Sequence, residues 1–104
     1  MKKVIRNGKV AVLISPDYGA GWYTWNDRKE ELLYSPKVVK MVEEKRLHEI
    51  DEDWIKENLG LEDIYLGGVG DLVIRWLPVG TSFKIDEFDG HETLLTLEDL
   101  TLKA

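Results

Sequence analysis

Cysteine is absent from this chain of 104 residues, histidine occurs twice, proline three times, and the longest uninterrupted apolar run is Val10 to Ile14. Without thiols there is neither a disulfide framework nor a thiolate zinc site, and two histidines do not complete a zinc shell unless carboxylates help. A membrane span needs about 20 apolar residues, and no signal-type apolar stretch follows the basic start. These absences predict a cytoplasmic protein with no metal, no cofactor and no membrane partner. Positive charge is also scarce, with 14 Lys and Arg against 20 Asp and Glu and a net charge of −6. Because phosphate backbones are bound mostly through Lys and Arg, nucleic acid is not the expected partner. A chain this short hides only about 60–70% of its unfolded surface on folding, which predicts one domain over residues 1–104, without a two-lobed cleft, whose core oligomerisation would enlarge.

What is present reads first as a hairpin from Met1 to Ser15. Lys3 to Arg6 and Lys9 to Ile14 flank Asn7-Gly8, the dipeptide preferred in two-residue type I′ turns. The second run is apolar throughout, as expected of a central strand covered on both faces. Ser15 to Asn26 then contains one proline and two glycines, which forbid a regular element, and places Tyr18, Trp22, Tyr23 and Trp25 within eight positions. Asn26 or Asp27 is expected to cap a short helical turn through Arg28 to Leu33. Ser35-Pro36 predicts a capped helix over about Pro36 to Arg46, with Val38, Val39, Met41 and Val42 inward. A second helix starts after Asp51, with Ile50 and Ile55 at staple spacing, and stops at Gly60. Short strands follow at Asp63 to Leu66, Leu72 to Leu77, Phe83 to Phe88 and Thr93 to Leu95, as a meander or a sheet completed by the hairpin. The fold expected is α+β, a mostly antiparallel sheet with an N-terminal β-hairpin and two short helices in one compact domain.

Two readings attach to the loop Tyr18-Gly19-Ala20-Gly21-Trp22-Tyr23, with Trp25 beyond it. As a ligand site, its glycines would let backbone amides approach phosphate oxygens while the aromatics stack on a base. As structure, its aromatics anchor the loop in the core and Gly19 and Gly21 supply positive φ. The dinucleotide fingerprint is missing its third glycine. Gly67-Gly68-Val69-Gly70-Asp71 lacks the Lys-Ser/Thr ending of a P-loop and reads as an inter-strand turn. Arg75 and Lys84, expected on adjacent strands, are the cations that would neutralise a phosphate, or would pair with Asp86 or Glu87 across the strands. His91-Glu92-Thr93 has the His-x-Thr form of two-histidine phosphoesterases, but His48-Glu49-Ile50 provides no second element. Asp86, Glu87, Asp89 and Glu92 match no calcium loop and read as a solvated acidic turn. With no nucleophile elbow and no Cys-His dyad, a non-enzymatic protein is expected. Lys2, Lys3, Arg6 and Lys9 carry the basic start, whereas residues 86–99 hold six acids and no Lys or Arg. This asymmetry would suit a self-complementary contact between copies, or simply a solvated surface.

Lys9 to Pro16 followed by Tyr18-Gly19-Ala20-Gly21-Trp22-Tyr23-Thr24-Trp25-Asn26, together with Leu32 to Pro36, Glu49 to Glu52, Glu57 to Gly60, Asp71 to Ile74, Trp76 to Pro78 and Gly80 to Phe83, resembles a family of roughly hundred-residue phage and prophage proteins. In build the chain is similar to phage anti-defence proteins of the sequestin and lockin kind. That resemblance implies a homo-oligomer in the bacterial host cytoplasm that sequesters a nucleotide-derived immune signal, a cyclic or conjugated ADP-ribose or a cyclic oligonucleotide, without cleaving it. Tyr18, Trp22, Tyr23 and Trp25 would then stack, Gly19, Ala20 and Gly21 would donate amides, and Arg75 and Lys84 would balance charge. The alternatives are an inhibitor that docks on a host defence enzyme, of the anti-CRISPR or anti-restriction type, and a signal-nucleotide phosphodiesterase built on His91.

Overall fold

A computed structural model describes residues 2–99, so Met1 of the expected hairpin and the last five residues of the expected domain lie outside the described residues. The N-terminal hairpin forms as β1 (Ile5–Arg6) and β2 (Lys9–Ile14), with Arg6 opposite Lys9. Its turn residues Asn7 and Gly8 have φ of 51° and 75°, the two positive angles that a type I′ turn demands. β2 lies at the centre of a three-stranded antiparallel sheet because β3 (Val73–Pro78) pairs along its other side, with Val12 opposite Arg75. Phe83 to Phe88 (β4) and His91 to Thr96 (β5) form a second antiparallel hairpin in which Phe88 faces His91. The strands of the expected α+β fold are thus all antiparallel and are divided between two sheets.

Both faces of β2 are covered, as its unbroken apolar run requires. Ala11 and Leu13 point into one core with Trp22, Leu32, Val38, Val39, Met41, Ile50, Ile55, Ile64 and Leu72. Val12 and Ile14 point into the other with Leu33, Tyr34 and Ile85, and with Val73, Leu77 and Leu94 against them. The layers are thus helices and loops, the three-stranded sheet, and the β4–β5 hairpin. The face of Val73, Arg75 and Leu77 packs its two apolar members beneath that hairpin and leaves Arg75 exposed.

Local signals place the helices. Glu30–Tyr34 forms α1, entered through Lys29 rather than through Asn26 or Asp27. Asp27 and Arg28 both have positive φ, 58° and 49°, so the chain is still turning where a cap was expected. In α2 (Pro36–Glu43) the Ser35 hydroxyl accepts from the Val38 amide and proline fills the first turn. This helix ends before Arg46, because Lys45 takes a left-handed φ of 57° and Met41 accepts from the Arg46 amide. In α3 (Glu52–Leu59) Asp51 accepts from the Trp54 amide and Gly60 closes the helix in the left-handed region.

Arg6 makes a bidentate contact with Glu43, tying the hairpin to α2. That hydrogen bond, ahead of the charge itself, holds the Glu43 carboxyl below its ordinary range and Arg6 above its own. The carboxylate form is the one favoured by folding, so the tie is present above the ordinary carboxylate value and is lost as pH falls through the depressed one. An NMR titration should give Glu43 a lower midpoint in the natural chain than in Arg6→Gln; equal midpoints would mean that the pair is open in solution.

Candidate functional site

The loop from Ser15 to Asn26 is laid around the β4–β5 turn by backbone bonds. The Gly19 amide donates to the Asp89 carbonyl, the Gly21 amide to the Gly90 carbonyl at 2.8 Å, and the Glu92 amide to the Ser15 carbonyl at 2.9 Å. Gly90 is pressed so closely on this loop that a Cβ there would lie 2.7 Å from the Ala20 nitrogen, and its φ is +85°. Gly90→Ala is therefore expected to lower stability by about 2 kcal/mol or more, from backbone strain and a forced separation of loop and hairpin. A urea midpoint equal to that of the natural chain would show that the two can part freely.

Beneath this junction lies Glu92, 1% exposed and with no ion-pair partner among the described residues. Its Oε1 accepts from the Ser15 amide and hydroxyl, and its Oε2 from the amides of Tyr23 and Thr24 and the Thr24 hydroxyl. A buried carboxylate requires such a set of donors, since each one replaces water. The loop is thus an anion cradle that holds a carboxylate of its own chain. Sequence reading placed Glu92 in a solvated turn and missed this role. The alternation in β5 does point Glu92 and Leu94 to one face, which is the signal that was present.

The expected ligand contacts separate into three groups. Trp22 is fully buried, with its indole Nε1 donating to the Leu32 carbonyl at 2.7 Å, and offers no face for stacking. Ala20 is also buried, and the amides of Gly19, Ala20 and Gly21 all donate within the chain, so they are not available to phosphate. Tyr23 is half-buried against both cores, with Arg28 over its ring. Arg75 and Lys84 are not neighbours: β3 pairs with β2 and β4 with β5, which puts Arg75 on the sheet layer and Lys84 on the outer face of the hairpin. Only Tyr18 and Trp25 remain as exposed rings.

Around those two the structure gathers residues that the sequence reading had left apart. Tyr18 meets Phe88 edge-on at 6.3 Å and lies 5.4 Å from the His91 ring. On the other side of Gly19, Trp25 lies 5.4 Å from Tyr65, whose hydroxyl donates to the Gly19 carbonyl at 2.6 Å. Tyr65 is brought here because the Asn26 side chain accepts from the Tyr65 amide and donates to its carbonyl. Asn26 thereby takes the place of a neighbouring strand, and the strand expected over Asp63 to Leu66 does not form; Asp63 also has a φ of 57°. Gly67-Gly68-Val69-Gly70 is a turn running into a short 3₁₀ helix, with Gly68 pressed against Ala20 and Ser15.

The surface around these rings is acidic. The Trp25 indole and the Gly90 amide both donate to Glu87. Asp17, Asp86 and Asp89 are exposed nearby, Asp86 sharing the outer face of β4 with Phe88. A hydrogen bond with Asp17, reinforced by the Asp17 charge, holds the Asp71 carboxyl above its ordinary range. Open hollows of about 450 Å³ and 490 Å³ lie elsewhere, one beside Pro36 and Leu59, the other beside Pro78 and Thr96. His91 contacts Tyr18 and Thr93, whereas His48 sits beside Glu49 on the helical layer. Among the described residues no group of three or more His, Asp and Glu is placed to hold a metal ion, and no helix is long and apolar enough to cross a membrane. Comparison with known protein families, with curated proteins and with solved structures finds no match to this chain.

Proposed function

We propose that this chain acts by non-catalytic docking on another protein, through the surface formed by Tyr18, Phe88 and His91 with Trp25 and Tyr65. The observation that carries this reading is the concentration of exposed rings. Of the seven large hydrophobic residues exposed among those described, four form two ring pairs at the junction of loop and hairpin, Tyr18 with Phe88 and Trp25 with Tyr65. Aromatic residues supply much of the energy of protein interfaces at little entropic cost, and the backbone bonds of Gly19 and Gly21 hold this platform in place beforehand. Inhibition of a host enzyme, one of the functions the sequence suggests, requires only such a surface.

Capture of a nucleotide-derived signal is the second reading, favoured by Lys84. It shares the outer face of β4 with Phe88, four residues away, or about 13 Å along a strand. A ring stacked on Tyr18 and Phe88 could send a phosphate toward it.

The double variant Tyr18→Ala, Phe88→Ala separates these roles from folding. Both side chains are exposed, at 71% and 69%, so stability should stay within about 0.5 kcal/mol of the natural chain. The natural chain should form a salt-sensitive complex with a host protein that the variant does not form, and should leave cyclic nucleotides and ADP-ribose in the filtrate untouched. Depletion of a nucleotide followed by intact release on heating would replace docking by capture.

A further inference from the structure

We infer that the partner seated on the Tyr18, Phe88, Trp25 and Tyr65 surface is a protein segment carrying arginine side chains, an inference that rests on the docking function above. Ring faces attract cations, and guanidinium most of all among side chains, because it is planar, weakly hydrated and able to stack while its edge still donates hydrogen bonds. The edge donors find acceptors at once. Asp17 adjoins Tyr18, Asp86 shares a face with Phe88, Glu87 holds the Trp25 indole, and Asp89 sits in the turn that carries Gly90.

None of these four carboxylates has an ion-pair partner among the described residues. The elevated Asp71 carboxyl, hydrogen-bonded to Asp17, reports the same crowding of negative charge at the edge of the surface. An anionic ligand would have to approach four carboxylates to reach the rings, with Lys84 as the one Lys or Arg on the outer face of β4. A cationic one is drawn to the surface and relieves the repulsion there. Aromatic rings set among uncompensated carboxylates are complementary to arginine on both counts.

The test is an NMR titration of the uniformly ¹⁵N-labelled full chain with an octa-arginine peptide, an octa-lysine peptide and ADP-ribose in turn. Octa-arginine should saturate at amides of residues 17–21 and 86–91, and should bind more tightly than octa-lysine. Affinity should fall at least about fivefold in Tyr18→Ala, Phe88→Ala and in Asp86→Asn, Asp89→Asn, while Glu52→Asn, Asp53→Asn in the first turn of α3 leaves it unchanged. Asparagine tolerates the left-handed φ of 49° at position 89, so the second double variant keeps its turn. Shifts spread evenly over all acidic faces, or equal loss in the Glu52 and Asp53 control, would overturn the inference. If ADP-ribose rather than octa-arginine moves these amides, the arginine assignment fails while the surface remains a binding site. Concentration-dependent shifts of the same amides in the chain alone, matched by shifts at Lys2, Lys3 and Lys9, would make the occupant a second copy and also overturn it. No response to any of these probes overturns the arginine assignment, whereas the docking function falls only if the natural chain and Tyr18→Ala, Phe88→Ala are alike in forming no host-protein complex.

Discussion

Replacing Glu92 with glutamine is expected to lower stability by about 2–3 kcal/mol, and replacing it with alanine by about 3–5 kcal/mol, as read from urea unfolding. Glutamine keeps the shape but exchanges one acceptor oxygen for a donor. Turned toward Ser15, the new amide faces the Ser15 N–H; turned the other way, it faces the N–H groups of Tyr23 and Thr24. Either orientation leaves a buried donor without an acceptor, and the remaining bonds lose their charge assistance. Alanine orphans all three backbone donors and opens a cavity between β5 and the loop. Because the whole junction is arranged around this carboxylate, Glu92→Gln should also speed hydrogen exchange at the Gly19 and Gly21 amides. A glutamine variant within about 0.5 kcal/mol of the natural chain would mean that the carboxylate charge contributes nothing to holding loop and hairpin together.

Trp22 is the second large effect, and it falls on stability rather than on the binding that its place in an aromatic loop suggests. Trp22→Ala should cost about 3–5 kcal/mol, since the side chain is fully buried in the larger core. Trp22→Phe should cost about 2 kcal/mol, from partial loss of volume and from removal of the indole N–H that the Leu32 carbonyl accepts. Per folded molecule, Trp22→Phe should bind octa-arginine as the natural chain does, because the ring has no exposed face. A selective loss of binding with unchanged stability would place Trp22 in the site and overturn its role as a core residue.

The two results together describe how one loop serves both interior and surface. Trp22 points down into the core and the amides of Tyr23 and Thr24 close on Glu92, while Tyr18 and Trp25 are left facing out. A stretch with four large aromatics in eight positions offers two for packing and two for contact. Composition alone does not divide them.

Elements whose determinants are local were legible in the sequence. Asn7-Gly8 set the type I′ turn, the apolar run Val10 to Ile14 marked a strand covered on both sides, Ser35-Pro36 started α2, and Asp51 with Gly60 bounded α3. Phe83 to Phe88 formed over its whole expected length. Each of these depends on residues a few positions apart, where turn chemistry, capping and periodicity act with little help from the rest of the chain.

Where partners are distant in sequence, the fold decided otherwise. Asp63 to Leu66 had the composition of a strand, but Asn26, 39 residues before Tyr65, occupies the backbone groups a strand would use. Arg75 and Lys84 are close in the chain and belong to different sheets, because β3 found β2 rather than β4. The candidate surface arose in the same way: Tyr18, Trp25, Tyr65 and Phe88 meet only after the β4–β5 turn docks on the Gly19 to Gly21 backbone. By itself the sequence determined the class of fold, the local turns and caps, and the scarcity of metal-binding and phosphate-binding side chains. Only tertiary structure decided which aromatics are buried, which strands pair, and that Glu92 is a buried anchor, because those outcomes turn on donors and acceptors that long loops bring together and that no short window of sequence contains.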